Sequence, residues 1–416
     1  MIVLFIHQNF PAQYRHLAQH LARQPGNTVY FITQPNGNDV PGINKLVYQK
    51  PPRDPAGCHP FVVDLDESVR NGLAVAELCR TQLRDKGVQP DIVIGHSGWG
   101  ETLFVKDVFP DVPLLTYFEF FYHARGVDVG FDAEFASIFS DPSRLRIRNA
   151  VNLIGFDAAD WGHTATRWQR ELYPPEMRSR ITALHEGVDT DDVRPDPDAW
   201  IKLARAGLTL SRKDEVITYL GRNLEPYRGF HVFMRALPEI LRRRPRAQIV
   251  IVGGDGVSYG HPAPPGTTYR EMMLREVGDR LDFERVHFLG QIPYAAHLNL
   301  LQVSSVHVYL TYPFVLSWSF IEALASGCLV VGSATPPVME VLKDGENGLL
   351  VDFFSSRDIA DRIDQVLDHP DRMQRLRDAA RQTAITNFDL KRRQLPLWER
   401  LIGDLREGRR PPVDMM

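Results

Sequence analysis

Short runs of apolar, β-branched and aromatic residues recur along the first half of the chain, at residues 2–6, 28–32, 91–95 and 113–118. Runs of this length predict buried strands. Between them, residues 12–23 and 69–84 carry apolar side chains three and four positions apart, the spacing of one helix face, and Gly and Pro punctuate the connections. Strand and helix in alternation predict parallel βαβ units. The alternation begins again after Asp196-Pro197-Asp198, with strands over 215–220, 248–252, 286–289 and 306–310 and a helix over 230–242. The pattern predicts an α/β protein of two doubly wound, Rossmann-like domains facing across a cleft. Residues 1–195 form the first and 196–388 the second, joined through the polar, proline-containing stretch 189–198. A C-terminal helix and a frayed tail follow over 389–416. Ligands of such sheets bind beyond the carboxyl ends of the strands, so the chemistry is sought in the loops that follow them.

A chain of 416 residues accommodates two such domains, and a 44% hydrophobic, 24% charged composition is that of a folded, water-soluble protein rather than a disordered one. No uninterrupted apolar run approaches the roughly 18 residues of a membrane-spanning helix. The opening Met1 to Ile6 is too short for a secretory signal and lacks a basic leader. Three widely spaced cysteines, Cys58, Cys79 and Cys328, fit reduced thiols better than a disulfide framework and offer no CxxC pair for zinc. Together these features predict a cytoplasmic protein. The second half is mildly basic, which suits an anionic small ligand. The acidic first half gives no electrostatic basis for docking on nucleic acid or an anionic membrane.

Two loops of the second half carry the strongest chemistry. In Gly221-Arg222-Asn223-Leu224-Glu225-Pro226-Tyr227-Arg228-Gly229, two arginines six apart lie between a strand and a helix. Planar guanidinium forks pair with phosphate oxygens, and a helix starting near Gly229 adds oriented N–H groups, although two solvated loop charges would give the same spacing. The segment from Thr311 to Gly327 joins a strand to a short helix and places Glu322 inside an apolar run. An anion there needs donors, and sugar hydroxyls are suitable; a capping box in Ser319-x-x-Glu322 is the structural alternative. Amides from Leu316 to Ser319, Ser317 included, could face phosphate. Gly253, in Gly253-Gly254-Asp255-Gly256, allows backbone to approach a ligand or simply makes a strand-exit turn. In the first half, Glu119 and His123 follow the strand over 113–118 and could line a cleft, or could be satisfied structural groups. Asp189-Thr190-Asp191 reads as cap and linker chemistry rather than a metal site. The first strand leads into His7-Gln8-Asn9-Phe10 where a dinucleotide-binding domain needs GxGxxG, which disfavours dehydrogenase chemistry.

At these residues the chain resembles the family 4 glycosyltransferases, retaining enzymes of GT-B fold. Gly221-Arg222 and Arg228-Gly229 match the family's diphosphate motif, with arginine where lysine is usual, and Glu322 to Gly327 matches its E-A-x-A-x-G helix. Similar stretches are Thr335 to Val341, Asp344 to Val351 and His185 to Thr190. Of the family's two glutamates in E-x7-E, Glu322 matches the second, whereas the first is replaced by Phe314. The resemblance implies a nucleotide diphosphate sugar as donor substrate, with Arg222 and Arg228 on the departing diphosphate and Glu322 on the ribose; Gly253, Phe314, Leu316 and Ser317 complete the candidate donor-binding residues. It implies no metal and no separate cofactor. A glycan, glycolipid or other small molecule would be the acceptor, on the side of the first domain with Glu119 and His123. A nucleotide-sugar epimerase of the same fold and a catalytically silent nucleotide-sugar-binding module are the alternatives, the second suggested by Phe314. The sugar, the base, the acceptor and the oligomeric state are not encoded in these motifs.

Overall fold

A computed structural model of the chain describes residues 1–52, 57–135 and 141–416. Among the described residues, seven parallel strands form one sheet: β1 (Ile2–Ile6), β2 (Thr28–Thr33), β3 (Ile43–Val47), β4 (Ile92–His96), β5 (Leu114–Tyr117), β6 (Trp161–Thr164) and β7 (Ile181–Ala183), in the order β3-β2-β1-β4-β5-β6-β7. A short antiparallel hairpin, β8 (Trp200–Leu203) and β9 (Leu208–Ser211), precedes a second parallel sheet. That sheet runs β12-β11-β10-β13-β14-β15, from β10 (Val216–Asn223), β11 (Gln248–Gly254), β12 (Val286–Gly290), β13 (Val306–Tyr309), β14 (Val330–Ser333) and β15 (Leu349–Val351).

The first sheet shows why its strands read as unbroken apolar runs. Successive side chains point to opposite faces and both faces are covered. Val3 and Phe5 enter one core with Val29, Phe31 and Ile94, while Leu4 and Ile6 enter the other with Ile32, Val93 and Leu114. The helix Val63–Gln82 covers the second of these faces through Val75, Ala76 and Cys79. The C-terminal helix Leu395–Arg406 covers the first, burying Leu395, Trp398, Leu401, Ile402 and Leu405, the stripe expected of an amphipathic helix.

The chain therefore returns to its starting unit. One compact unit comprises Met1–Ala124, Phe139–Gly187 and Leu390–Met416, the other Arg125–Ile138 and Val188–Asp389. The passage between units lies at Gly187 and Val188, ahead of the proline-containing stretch where the sequence suggested it. The tail is not frayed. The Ala183 amide donates to Val413 O at 3.0 Å and the Met415 amide to Ala183 O at 3.1 Å, so the tail lies beside β7 and satisfies an edge that would otherwise be bare. No helix among the described residues is long and apolar enough to cross a membrane.

Buried imidazoles give the fold an acid-sensitive element. Burial holds His7 and His163 well below their ordinary value, with His96 adding to the effect, and pushes His185 down to about 4 and His307 down to about 3. These groups take up protons more readily when unfolded, so their contribution to stability is full above the unfolded value near 6.5 and is lost as pH falls toward 4. The melting temperature should fall by several degrees between pH 7 and pH 4.5. A flat profile over that range would contradict the buried, neutral assignment.

Candidate functional site

In the second unit the loop after β10 turns on Gly229, whose backbone is left-handed (φ 67°) and where a Cβ would press into Leu310. The helix Phe230–Arg243 starts there. Arg222 is exposed, whereas Arg228 is buried beneath the carboxyl end of β13. Its Nη1 donates to Thr311 Oγ1 at 2.8 Å, Val315 O at 3.1 Å and Tyr309 Oη at 3.3 Å. Its guanidinium lies 5.1 Å from the centre of the Tyr259 ring. Burial opposes the charge, but Tyr309, Tyr259 and Glu225 more than offset this and hold the guanidinium above its ordinary value. Glu225 fixes the loop that carries Tyr259 by accepting from the Ser258, Tyr259 and Gly260 amides at 3.0, 3.1 and 3.1 Å.

The structure brings Arg228, Phe314 and Ser317 into one grouping through Tyr259 and Tyr309, with Leu316 between the last two in sequence. Phe314 is buried and packs on Tyr259 and Tyr227, with ring centres 5.0 and 5.5 Å apart. Ser317 caps the helix Trp318–Ala325 without a side-chain bond to it, and its amide donates to Tyr309 Oη at 3.0 Å. Tyr309 thus links Ser317 to Arg228, which commits an amide that sequence reasoning reserved for phosphate. Gly253 lies under the same loop. A Cβ there would come within 2.6 Å of Leu224, so close packing accounts for this glycine.

Glu322 stands further along the helix and its carboxylate is not turned back to cap it. Oε1 accepts from Tyr294 Oη at 2.8 Å and Oε2 pairs with His297 Nε2 at 2.9 Å, and the two rings are stacked with centres 5.8 Å apart. The capping-box alternative is thereby replaced by a side-chain triad of Glu322, Tyr294 and His297. Tyr294 and Trp318 are both substantially exposed.

Sequence reasoning missed the segment before residue 136, which joins this unit. Tyr227 Oη donates to Asp128 Oδ2 at 2.9 Å and Tyr312 Oη to Asp132 Oδ2 at 2.8 Å, and His231 Nε2 lies 3.1 Å from Asp132. Asp132, Glu134 and His231 offer ligand atoms within 4.8 Å of one another. Glu134, however, is held by two bonds from Arg235, at 2.7 and 2.6 Å, which makes the trio a fastening for the segment. Burial raises the Asp132 carboxyl, but bonds from His231, Tyr312 and the Glu134 amide outweigh it and set it below the usual range.

In the first unit, Glu119 is half-exposed after β5 with Oε2 3.6 Å from His96 Nε2, while His123 Nε2 contacts Leu172 O at 2.7 Å. The two candidates thus have different partners. Around Glu119 the ends of neighbouring strands carry His7, His96, Tyr117 and His163, residues that were singled out only in part from sequence.

Residues 25–193 match the model of the glycosyl transferase family 4 group, and residues 201–383 that of the glycosyl transferases group 1. A D-inositol 3-phosphate glycosyltransferase of Corynebacterium aurimucosum is 32% identical over 203 residues, 48% of this chain and 46% of that protein. A GDP-mannose-dependent alpha-(1-6)-phosphatidylinositol monomannoside mannosyltransferase of Mycolicibacterium smegmatis is 29% identical over 266 residues, 62% of this chain and 65% of that one. The chain spans about half the length of the curated relatives it matches. Among solved structures, sucrose-phosphate synthase from Thermosynechococcus elongatus aligns with a TM-score of 0.73 at 19% identity, covering 98% of this chain and 100% of that one. HepE from Anabaena in complex with UDP-glucose aligns with a TM-score of 0.63 at 15% identity, again over 98% and 100%. At these identities the likeness is one of fold, the GT-B pairing of two doubly wound units. The chain thus joins a region of the glycosyl transferase family 4 group, residues 25–193, to a region of the glycosyl transferases group 1, residues 201–383.

Proposed function

We propose that the protein is a retaining, metal-independent glycosyltransferase that moves a sugar from a nucleotide diphosphate donor to a hydroxyl of a glycan, glycolipid headgroup or other small polyol, in the cytoplasm. The observation that carries this reading is the carboxyl edge of the second sheet, with exposed Arg222 at the end of β10, buried Arg228 in the turn after it and the fixed carboxylate of Glu322 on the helix that follows β13. Arg228 and Arg222 would stabilise the departing diphosphate as the anomeric C–O bond breaks, supplying the positive charge that other architectures draw from a cation. The acceptor oxygen would form the new bond on the face the phosphate leaves, and a phosphate oxygen would take the hydroxyl proton. Glu322 would receive ribose hydroxyls in exchange for, or beside, Tyr294 and His297.

A thermal-shift panel of UDP, GDP and their sugars tests the reading, because a ligand selective for the native state raises the melting temperature. One nucleotide should give a clear rise and its sugar should be consumed on adding acceptor. A panel without any shift rejects it. Glu322→Gln should leave the melting temperature nearly unchanged, since an amide still pairs with Tyr294 and His297. It should weaken the donor roughly five- to tenfold, the difference between a charge-assisted and a neutral bond. Donor affinity equal to that of the wild type, measured by calorimetry, would remove Glu322 from the donor site.

A further inference from the structure

The chain leaves the first unit at Ala124, and the stretch that begins at Arg125 belongs to the second. Within it Gly130 takes a left-handed backbone (φ 70°) and the Phe131 amide donates to Asp128 O at 3.2 Å, closing a turn of the type that wants glycine at its third position. The turn carries two carboxylates four residues apart, Asp128 and Asp132, and both are buried. Val127 and Val129 are buried too, and Phe131 packs on Tyr312, Phe353 and Phe354 with ring centres 5.1, 5.2 and 5.1 Å apart. Apolar contacts of this kind fasten a strap without charge. Two buried anions are costly and call for a separate reason.

Each carboxylate holds the phenol of a tyrosine from the aromatic wall. Tyr227 Oη donates to Asp128 Oδ2 at 2.9 Å and Tyr312 Oη to Asp132 Oδ2 at 2.8 Å, and the two rings lie against each other with centres 4.6 Å apart. Asp132 is braced in its turn, since Oδ1 accepts from the Glu134 amide at 2.9 Å and His231 Nε2 lies 3.1 Å from Oδ2. Tyr227 precedes Arg228 and packs on Phe314, while Tyr312 follows Thr311, whose hydroxyl accepts from Arg228. Charge-assisted bonds are short and directional, so they fix where each ring stands. Through one tyrosine each, the two aspartates therefore reach both loops in which Arg228 is seated.

We infer that Asp128 and Asp132 are positioning residues of the donor pocket, and that the part of the donor they serve is the sugar. The inference rests on the glycosyltransferase reading, in which Glu322 takes the ribose and the arginines take the diphosphate. The wall of Tyr227, Tyr259 and Phe314, which meets Arg228 through Tyr259, is left for the group joined to that diphosphate. Aromatic faces hold a sugar through its C–H surfaces, at contact distances where a gap of about 1 Å forfeits about half of each attraction. Residues that fix the rings thereby set how well a nucleotide sugar is told from its bare nucleotide. They have no part in the grip on the nucleotide itself.

Calorimetry on the full chain with UDP, GDP, UDP-glucose and GDP-mannose tests this through one ratio, the affinity for a nucleotide sugar over that for its nucleotide. Asp128→Ala and Asp132→Ala should each lower the ratio by about five- to tenfold while nucleotide affinity stays within about twofold. Asp128→Asn should restore most of it, since an amide oxygen still accepts from Tyr227. Val129→Ala, which loosens the same strap at a buried apolar side chain, should lower the melting temperature and leave the ratio alone. Should the alanine variants fail to fold, Tyr312→Phe decides. It keeps the ring and the contacts of Asp132 with His231 and the Glu134 amide, removes only the hydroxyl, and should lower the ratio by about threefold. Equal loss of nucleotide and nucleotide sugar, a ratio unmoved in the aspartate variants or in Tyr312→Phe, or a ratio that Val129→Ala lowers as far, each overturns the inference. The wild type reports the transferase reading separately. If it binds no nucleotide and no nucleotide sugar, that reading fails and the positioning role with it, whereas wild-type binding with an unmoved ratio removes the positioning role only.

Discussion

Arg228→Ala is expected to lower turnover per bound donor by about ten- to a hundredfold, the equivalent of about 1.5–3 kcal/mol for a lost charge-assisted bond. The position explains the size of the effect. Arg228 is buried and its Nη1 is anchored on Thr311, Val315 and Tyr309, so the guanidinium is held in place before any donor arrives. A charge already fixed in a low-dielectric setting does not pay for reorganisation when the diphosphate departs. Exposed Arg222 has no such anchoring, and its removal should cost less. Arg228→Lys should recover only part of the loss, because a point charge cannot hold both the 309–315 wall and a phosphate oxygen as a planar fork can. The substitution also leaves Thr311 and Tyr309 without their cation, so stability must be read alongside. A lower melting temperature with donor affinity and kcat unchanged in the folded protein would reduce Arg228 to a structural brace.

Much of this arrangement is legible in the sequence, and the parts that are not have physical reasons. Central strands announce themselves as apolar runs because both faces are covered, as in β1, where four of five side chains are buried. Edge strand β3, Ile43–Val47, escapes that reading because Asn44 and Lys45 interrupt it and one edge lacks a neighbour. Arg222, Arg228 and Glu322 are found from motif spacing. Their partners Tyr309, Thr311, Tyr294 and His297 are not, since a hydroxyl at a strand end and two polar residues one helical turn apart carry no local signal. The segment around Asp128 and Asp132 is harder still. Its partners Tyr227 and Tyr312 lie 99 and 180 positions away, and it has neither helical nor strand periodicity. The C-terminal helix shows its amphipathic stripe plainly, but nothing local states that Trp398 packs beside His163, whose ring centre is 4.7 Å away on the opening unit's sheet.

Phe314→Glu should nearly abolish transfer and lower the melting temperature, although it restores the carboxylate that the family pattern places there. The replacement of the first glutamate of E-x7-E by Phe314 could mark either a lost activity or an altered pocket. The structure supplies the reason to expect the second. Phe314 is only 6% exposed and lies between Tyr259 and Tyr227, and Tyr227 in turn packs on Tyr312 with ring centres 4.6 Å apart. An aromatic side chain is thus built into the wall that also seats Arg228, through Tyr259. A carboxylate in that wall would be desolvated among aromatic rings at a cost of about several kcal/mol unless a donor reached it, and it would draw Arg228 away from its task. Nucleotide release with acceptor present, measured for wild type and variant, separates the cases. An active wild type and an inactive, destabilised Phe314→Glu variant mean that the aromatic wall is part of donor recognition, presenting an apolar face to the sugar and leaving its hydroxyls to neighbours such as Ser317. A wild type inert toward every nucleotide sugar, with transfer gained by Phe314→Glu, would instead make the present chain a nucleotide-sugar-binding module that has lost its chemistry.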